Sequence, residues 1–398
     1  MTTITDSSLV EMHLAATWES DDTVHEEQYH AAEVNMWRDI FPHALRQKLL
    51  GCQPGDKVHH SFPADEILGT CSAQPVSLPL CHWQPPPTSD SPAAPMSGRY
   101  YPQGFLQGVS GVFPQTLTPM RVVAVDRDTF TVDRAHPLHG KQLDYTIRVA
   151  DVSRLQKERG GRCSDRLLEM LENGPGMQAR IAGSPLTYDR EKAFLRTDHA
   201  DDRIFYAEPR MVSHIDRQAS EHLASVIARF LQPGGRVLDL MASVDSHLPA
   251  GHGLNVTGLG MNREEMAANP DLAEYLVHDL NANPRLPCPD KSFDAVLCNL
   301  SFEYLAKPEE VVRETARVLK PSGILLVSFS NRWFPPKVTK LWTELHEFER
   351  MGLVLQLCSP HYEQFHTVSF RNWPRPAFDK YFPALQASDP LYVVTGRA

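Results

Sequence analysis

The chain has 398 residues, 42% of them hydrophobic and 22% charged, which is enough for more than one globular domain with its own core. Its 49 acidic against 39 basic side chains give a net charge of -10, which excludes a global basic field for nucleic acid or anionic lipid and favours a small or neutral substrate. The opening "MTTITDSSLVEMHLAATWESDD" shows neither a basic nor an apolar leader region, and no apolar run reaches about eighteen residues, so no membrane span and a cytoplasmic location are expected.

In chain order, "VEMHLAATW", "GDKVHHSF", "MRVVAVDRDTFTVD" and "KQLDYTIRVADV" alternate and end in turn residues, as half-buried antiparallel strands do. The stretch "HEEQYHAAEVNMWRDIFP" follows the first strand and is assigned no element. The run Pro75–Gly98, "PVSLPLCHWQPPPTSDSPAAPMSG", is too proline-rich for a helix or central strand and predicts a long loop or insertion. "SDRLLEMLEN" predicts a short helix capped by Ser164, and "SEHLASVIARFL" a helix from Ser220 to Leu231. From there "RVLDL", "NVTGLGM", "YLVHDL", "FDAVLCNL", the helix "KPEEVVRETARVL" and "GILLVSFS" alternate, which predicts a parallel sheet with helices on both faces. The divisions expected are residues 1–152, a linker with a helical cap over 153–202, and 203–398. Cysteines 52, 71, 81, 163, 288, 298 and 358 form no CxxC pair, as suits reduced thiols. Cys71, Cys81 and His82 share a loop, but three loosely spaced ligands do not define a metal site, and none is assigned.

The stretch Gly234–Pro249, "GGRVLDLMASVDSHLP", joins a buried strand ending in an acid to a turn without glycine before Gly251. Nucleotide-type cofactors usually meet glycines at such a turn. Ala242 and Ser243 are small enough to replace them if the backbone there avoids positive φ. The loop thus reads as rebuilt rather than lost.

From about residue 203 onward the order of pieces resembles the class I methyltransferases that use S-adenosylmethionine. The resemblance rests on "CPDKSFDAVLCNLSFEYLAKPEEVVRETARVLKPSGILLVSFSNR" and on the closing "PLYVVTGRA", which matches the family's antiparallel seventh strand. It implies a Rossmann-like, seven-stranded α/β sheet and in-line methyl transfer from S-adenosylmethionine, which needs little beyond positioning and desolvation when the acceptor is a thiol or sulfide. By the match, Asp239 and the backbone of Leu240, Met241, Ala242 and Ser243 line the cofactor's amino acid end. Gly260 stands where the family has a ribose-binding acid, which passes the diol to Asn262 and the adenine face to Met261. Asp279 and the Leu280 amide are expected at the adenine, and Asn299 is a further contact. Candidates for chemistry are His247, with Tyr206 and Arg210 in the lid-like "RIFYAEPRMVSHID" beside His214 and Asp216; after the fourth strand come Ser301, Phe302, Glu303 and Tyr304. The acceptor is expected to be a small molecule, with thiol, carboxylate, amine and peptide nucleophiles all open.

The amino-terminal part resembles FKBP-type peptidyl-prolyl isomerases of the SlyD kind through "VDRAHPLHGKQLDYTIRVADV" and "FPHALRQKLLGCQPGDKVHHSFPADEILG". This implies an α+β antiparallel domain ahead of the methyltransferase sheet. The family's pocket aspartate and phenylalanine are not visible. Trp37, Ile40, Tyr101, Phe105, Phe113 and Tyr145 could line a proline pocket or belong to ordinary core. The competing reading of the whole chain is therefore a proline-directed binding protein whose methyltransferase fold is inert.

Overall fold

In the computed structural model, which describes residues 2–69, 74–86, 94–154 and 161–398, the chain forms two units. One is Met1–Thr187 with Arg371–Trp373, the other Tyr188–Phe370 with Pro374–Ala398. The division between Thr187 and Tyr188 falls inside the stretch expected to link the two halves.

The first unit contains β1 (Ser8–Ser20), β2 (Thr23–Asn35), α1 (His43–Leu49), β3 (Lys57–Pro63), α2 (Asp65–Leu68), β4 (Val76–Pro79), β5 (Tyr100–Pro102), β6 (Pro119–Val125), β7 (Thr129–Asp133), β8 (Gln142–Arg154) and α3 (Arg166–Leu171). Strands β2-β1-β8-β3 lie side by side and antiparallel. Every second residue of β1 from Val10 to Trp18 is buried, and these pack with Tyr145, Leu45, Leu49, Leu167 and Met170. A separate sheet, β4-β7-β6-β5, closes around Trp83, Tyr101, Phe130 and Val132. The fold is antiparallel α+β, built from the strands the alternation predicted and three it did not, β2, β4 and β5, of which the edge strand β4 lies in the proline-rich run expected to be a loop. "HEEQYHAAEVN", to which the sequence alone assigns no element, forms most of β2, paired with β1 along its length.

One further expectation is corrected, and one open alternative is decided. Helix α3 is capped by Asp165, whose carboxylate accepts from the Leu168 N–H at 2.9 Å, and not by Ser164. The six pocket candidates do not gather: Trp37, Ile40 and Phe113 are 53, 54 and 66% exposed, Tyr101 and Phe105 belong to the small sheet, and Tyr145 sits in the main core. Cys71 lies outside the described residues; Cys81 is exposed, and Nδ1 of His82 is hydrogen-bonded to the Gln107 carbonyl.

The second unit contains α4 (Asp202–Phe205), α5 (Arg217–Phe230), β9 (Arg236–Leu240), β10 (Asn255–Gly260), α6 (Arg263–Ala268), β11 (Leu272–Val277), β12 (Phe293–Asn299), α7 (Pro308–Val318), β13 (Leu319–Phe329), α8 (Lys340–Glu344), α9 (Glu347–Cys358), β14 (Glu363–Arg371) and β15 (Leu391–Arg397). Its strands run in the order β11-β10-β9-β12-β13-β15-β14. The first five pair in parallel, and β15 is antiparallel to both β13 and β14. This is the expected Rossmann-like α/β sheet. Helix α5 begins three residues before the expected start, because Asp216 accepts from the Gln218 and Ala219 N–H groups and caps it. The chain goes from β9 to β10 on one side and then crosses to β12 on the other, and crevices for ligands open outside the carboxyl ends of strands where the order reverses in this way. Among the described residues no helix is long and apolar enough to cross a membrane.

Candidate active site

A cavity opens at that reversal. Its walls come from residues just after β9, β10, β11, β12 and β13, together with the strip Tyr206–Ile215 and Lys380. His247, Tyr206, Arg210, Asp239, Met241, Ala242, Ser243, Met261, Asn262, Asp279, Leu280 and Asn299 all line it. Leu240 is buried in β9, and its side chain is not part of the lining.

Ala242 and Ser243 avoid positive φ, as their replacement of glycine requires, but the loop uses left-handed backbone on either side of them. Met241 and His247 have φ of 56° and 55°, and Leu300, across the cavity after β12, has φ of 52°. Such conformations cost a side-chain-bearing residue on the order of 1 kcal/mol and persist only where surrounding contacts impose them. Here the contacts are polar side chains. Ser246 Oγ donates to the Asp239 carboxylate at 2.7 Å, Asn269 Nδ2 donates to the Ser243 carbonyl at 2.8 Å and to Ser246 Oγ at 2.9 Å, and Asn299 Nδ2 donates to the Ser246 carbonyl at 3.2 Å. The Ala242 N–H reaches the Leu259 carbonyl at 3.0 Å, which lays the loop over the end of β10. A Cβ on Gly260 would run into the Ala242 carbonyl oxygen. The missing acid at position 260 and the missing glycines in the loop are thus one adjustment.

Asp239 is fully enclosed, and burial raises its pKa to about 7 against the opposing hydrogen bond from Ser246. Its Oδ1 has no protein partner among the described residues. Asp279 accepts from the Asn281 and Ala282 N–H groups through Oδ1, which leaves Oδ2 open, and the neighbouring Leu280 N–H donates to no protein acceptor among the described residues.

Asn262 is occupied by the protein itself. Its Oδ1 caps α6 by accepting from Glu264 and Glu265 N–H, while Nδ2 donates to the Tyr206 and Ala207 carbonyls at 3.0 and 3.2 Å. Sequence reasoning missed Glu265, a buried carboxylate that accepts from the Arg210 N–H and from Ser243 Oγ, both at 2.7 Å. Its place three residues after a capping asparagine was the available signal. Together Asn262 and Glu265 tie the strip 206–210 to the mouth of the sheet. The base of that strip is held by Asp202, which meets Arg196 at 2.7 Å, Asn281 at 2.9 Å and the buried Lys337 at 2.9 Å.

Nδ1 of His247 is taken by Ser220 Oγ at 2.9 Å and lies 3.3 Å from Asp245, so Nε2 is the nitrogen without a partner among the described residues. Burial lowers its pKa, with Asp245 opposing and His214 adding to the shift, and burial likewise lowers that of His214. The imidazoles are therefore neutral near pH 7. Sequence reasoning also missed the wall from Trp333 and Phe334 in "NRWFPP". Phe334 stacks on Tyr304 with centroids 5.8 Å apart, and the Arg210 guanidinium lies 4.4 Å from the Phe205 centroid and 5.2 Å from that of Phe334. Glu303 does not line the cavity; it is buried and neither carboxylate oxygen has a partner among the described residues.

Residues 245–327 match the family described as "Methyltransferase domain". That match lies wholly within the carboxyl-terminal unit, from the loop after β9 into β13. Among curated proteins the chain is similar to a demethylmenaquinone methyltransferase of Renibacterium salmoninarum, 36% identical over 111 residues that cover 26% of this chain and 45% of that protein. It is also similar to a ubiquinone biosynthesis O-methyltransferase of Xanthomonas campestris pv. campestris, 33% identical over 119 residues that cover 27% and 48%. The chain spans less than half the length of these two relatives. A solved SAM-dependent methyltransferase from Aquifex aeolicus overlays 53% of this chain and 99% of its own at 17% identity, with a TM-score of 0.31.

Proposed function

We propose that the carboxyl-terminal unit transfers a methyl group from S-adenosylmethionine to a small molecule held in this cavity. The observation that carries the reading is the donor set at the strand-order reversal. Asp239, Asp245, Glu265 and Asp279 make an acid-rich lining suited to a ligand with an ammonium and a sulfonium, and the unpartnered Leu280 N–H suits a purine acceptor. When bound, the cofactor supplies an electrophilic methyl group on sulfur. Asp239 and the backbone from Leu240 to Ser243 hold its amino acid end, Met261 packs on the base, and Asp279 and Leu280 meet the adenine edge. Asn262 lies at the ribose but acts first as a clamp on Tyr206 and Ala207. Tyr206 and Arg210 cover the mouth and exclude water. His247 takes the proton from a hydroxyl or amine acceptor through Nε2, whereas a thiolate needs little beyond positioning.

The relatives' names point to ring-bearing acceptors. The wall of Tyr304, Trp333 and Phe334 beside the Arg210 cation suits a flat acceptor with an ionisable hydroxyl, and a small thiol or sulfide is the second candidate. For the amino-terminal unit an FKBP-like arrangement is proposed without isomerase activity, since its candidate pocket residues are dispersed.

Calorimetry with S-adenosylmethionine and S-adenosylhomocysteine is expected to give 1:1 binding with a roughly micromolar Kd. Absence of binding at millimolar ligand overturns the reading. Asp279→Ala and Asn262→Ala are each expected to weaken cofactor binding about ten- to a hundredfold, from the loss of a buried hydrogen-bond partner. Asn262→Ala also removes a helix cap and should lower stability to denaturant by about 1 kcal/mol. Unchanged affinity in both variants would place the cofactor elsewhere.

A further inference from the structure

Away from this cavity, in the first unit, three side chains converge that neither the methyl-transfer reading nor any motif accounts for. His13 on β1 and His30 on β2 face each other directly across the strand pair. Glu11 lies two residues before His13, where the register of β1 slips against both β2 and β8. Such a bulge turns a side chain toward its neighbours. As a result, one ligand atom from each of Glu11, His13 and His30 falls within 4.8 Å of the others.

We propose that Glu11, His13 and His30 form a binding site for a divalent transition-metal ion of the zinc type. Two imidazoles and one carboxylate are a ligand set that zinc accepts, with further positions left for water. The spacing fits. Glu11 Oε1 and His30 Nε2 are 2.9 Å apart, so a shift of about half an ångström brings them to the separation of about 3.4 Å between two tetrahedral ligands, each about 2.1 Å from one ion. The indole of Trp373 lies 4.4 Å from the His13 ring and 5.4 Å from that of His30, which fixes both imidazoles and shelters them from water. His30 is buried, whereas Glu11 is 44% exposed and gives an ion a way in. Arg148, opposite His13 on β8, opposes a dication, and the Glu11 carboxylate offsets it.

The test uses the full chain with zinc alone, and cobalt as a spectroscopic stand-in. One equivalent of zinc is expected to bind, with visible cobalt absorption bands bleached by zinc. Glu11→Gln and His13→Ala should each weaken binding by about ten- to a hundredfold while circular dichroism stays unchanged. Glu11→Gln is the safer variant because that side chain is partly exposed. Absence of stoichiometric zinc binding overturns the proposal, as does zinc binding that survives both substitutions, which would assign the ion to other residues such as the free cysteines. Neither measurement depends on methyl transfer, so the proposal stands or falls apart from that reading.

Discussion

Replacing His247 by glutamine is expected to lower kcat by about 10²- to 10⁴-fold for a hydroxyl or amine acceptor, the usual contribution of a positioned general base. Affinity for S-adenosylmethionine should change only a few fold, because the loop is held mainly through Ser246, Asn269 and Asn299. Ser220 and Asp245 engage Nδ1, which leaves Nε2 for the proton-accepting role proposed for it. The pH profile adds a sign. Burial disfavours the imidazolium, so the acidic limb of kcat should lie below the ordinary histidine value of about 6.5, with a plateau above it. Rates are to be measured with the acceptor that emerges from a cofactor-consumption screen of thiols, phenols, amines and acids. A glutamine variant with undiminished kcat would instead assign the reaction to a thiolate, for which no base is needed.

The second large effect is expected at Asp239, where one substitution should move stability and binding in opposite directions. Its pKa is raised to about 7 by burial, so the folded state holds a proton that the unfolded chain releases near pH 4. The unliganded protein must then lose stability as pH climbs from about 4 to about 7, by an amount on the order of 2–4 kcal/mol, with no further loss above. Asp239→Asn keeps the shape, removes the ionisation and should raise the melting temperature at pH 8 while flattening its pH dependence. The same change takes a negative charge from the cavity wall and should weaken cofactor binding by about tenfold or more, since hydrogen bonds to charged groups are the stronger kind. Thermal melts across pH and calorimetry at pH 8 check the two halves. A variant less stable than the parent at pH 8 would mean that Asp239 is ionised and satisfied in the folded protein.

The carboxyl-terminal sheet was legible because β9, β12 and β13 are continuous apolar runs, buried on both faces. Strand β2 was not, because most of its inward positions are polar, with Ala31 and Val34 the apolar exceptions. His25 is fully buried and stacks on Trp18 at 3.8 Å, and Glu27 is buried and accepts from Gln178 Nε2 at 2.8 Å. Alternation of hydrophobicity cannot reveal a strand whose core side is imidazole and carboxylate. At the cavity, most lining residues could be named from strand ends, since position along a parallel sheet fixes which residues reach its mouth. Their employment could not. Asn262 spends its amide on carbonyls 55 and 56 residues away, and Glu265 joins Arg210 to Ser243. Such partners are set by tertiary proximity, to which local spacing is blind.

The three left-handed residues at the cavity, Met241, His247 and Leu300, bear on the rhythm of turnover. A glycine loop wanders among backbone states when its ligand leaves and must be gathered again at the next arrival. A loop whose unusual torsions are pinned by neighbouring side chains has met that ordering cost during folding, so each arriving cofactor finds a wall already in shape. Such a wall gives little help to departure. On the proposed reading, exchange of spent for fresh cofactor falls to the strip 206–210, fastened at the mouth by the few hydrogen bonds of Asn262 and Glu265, and opening of that strip is expected to pace the cycle.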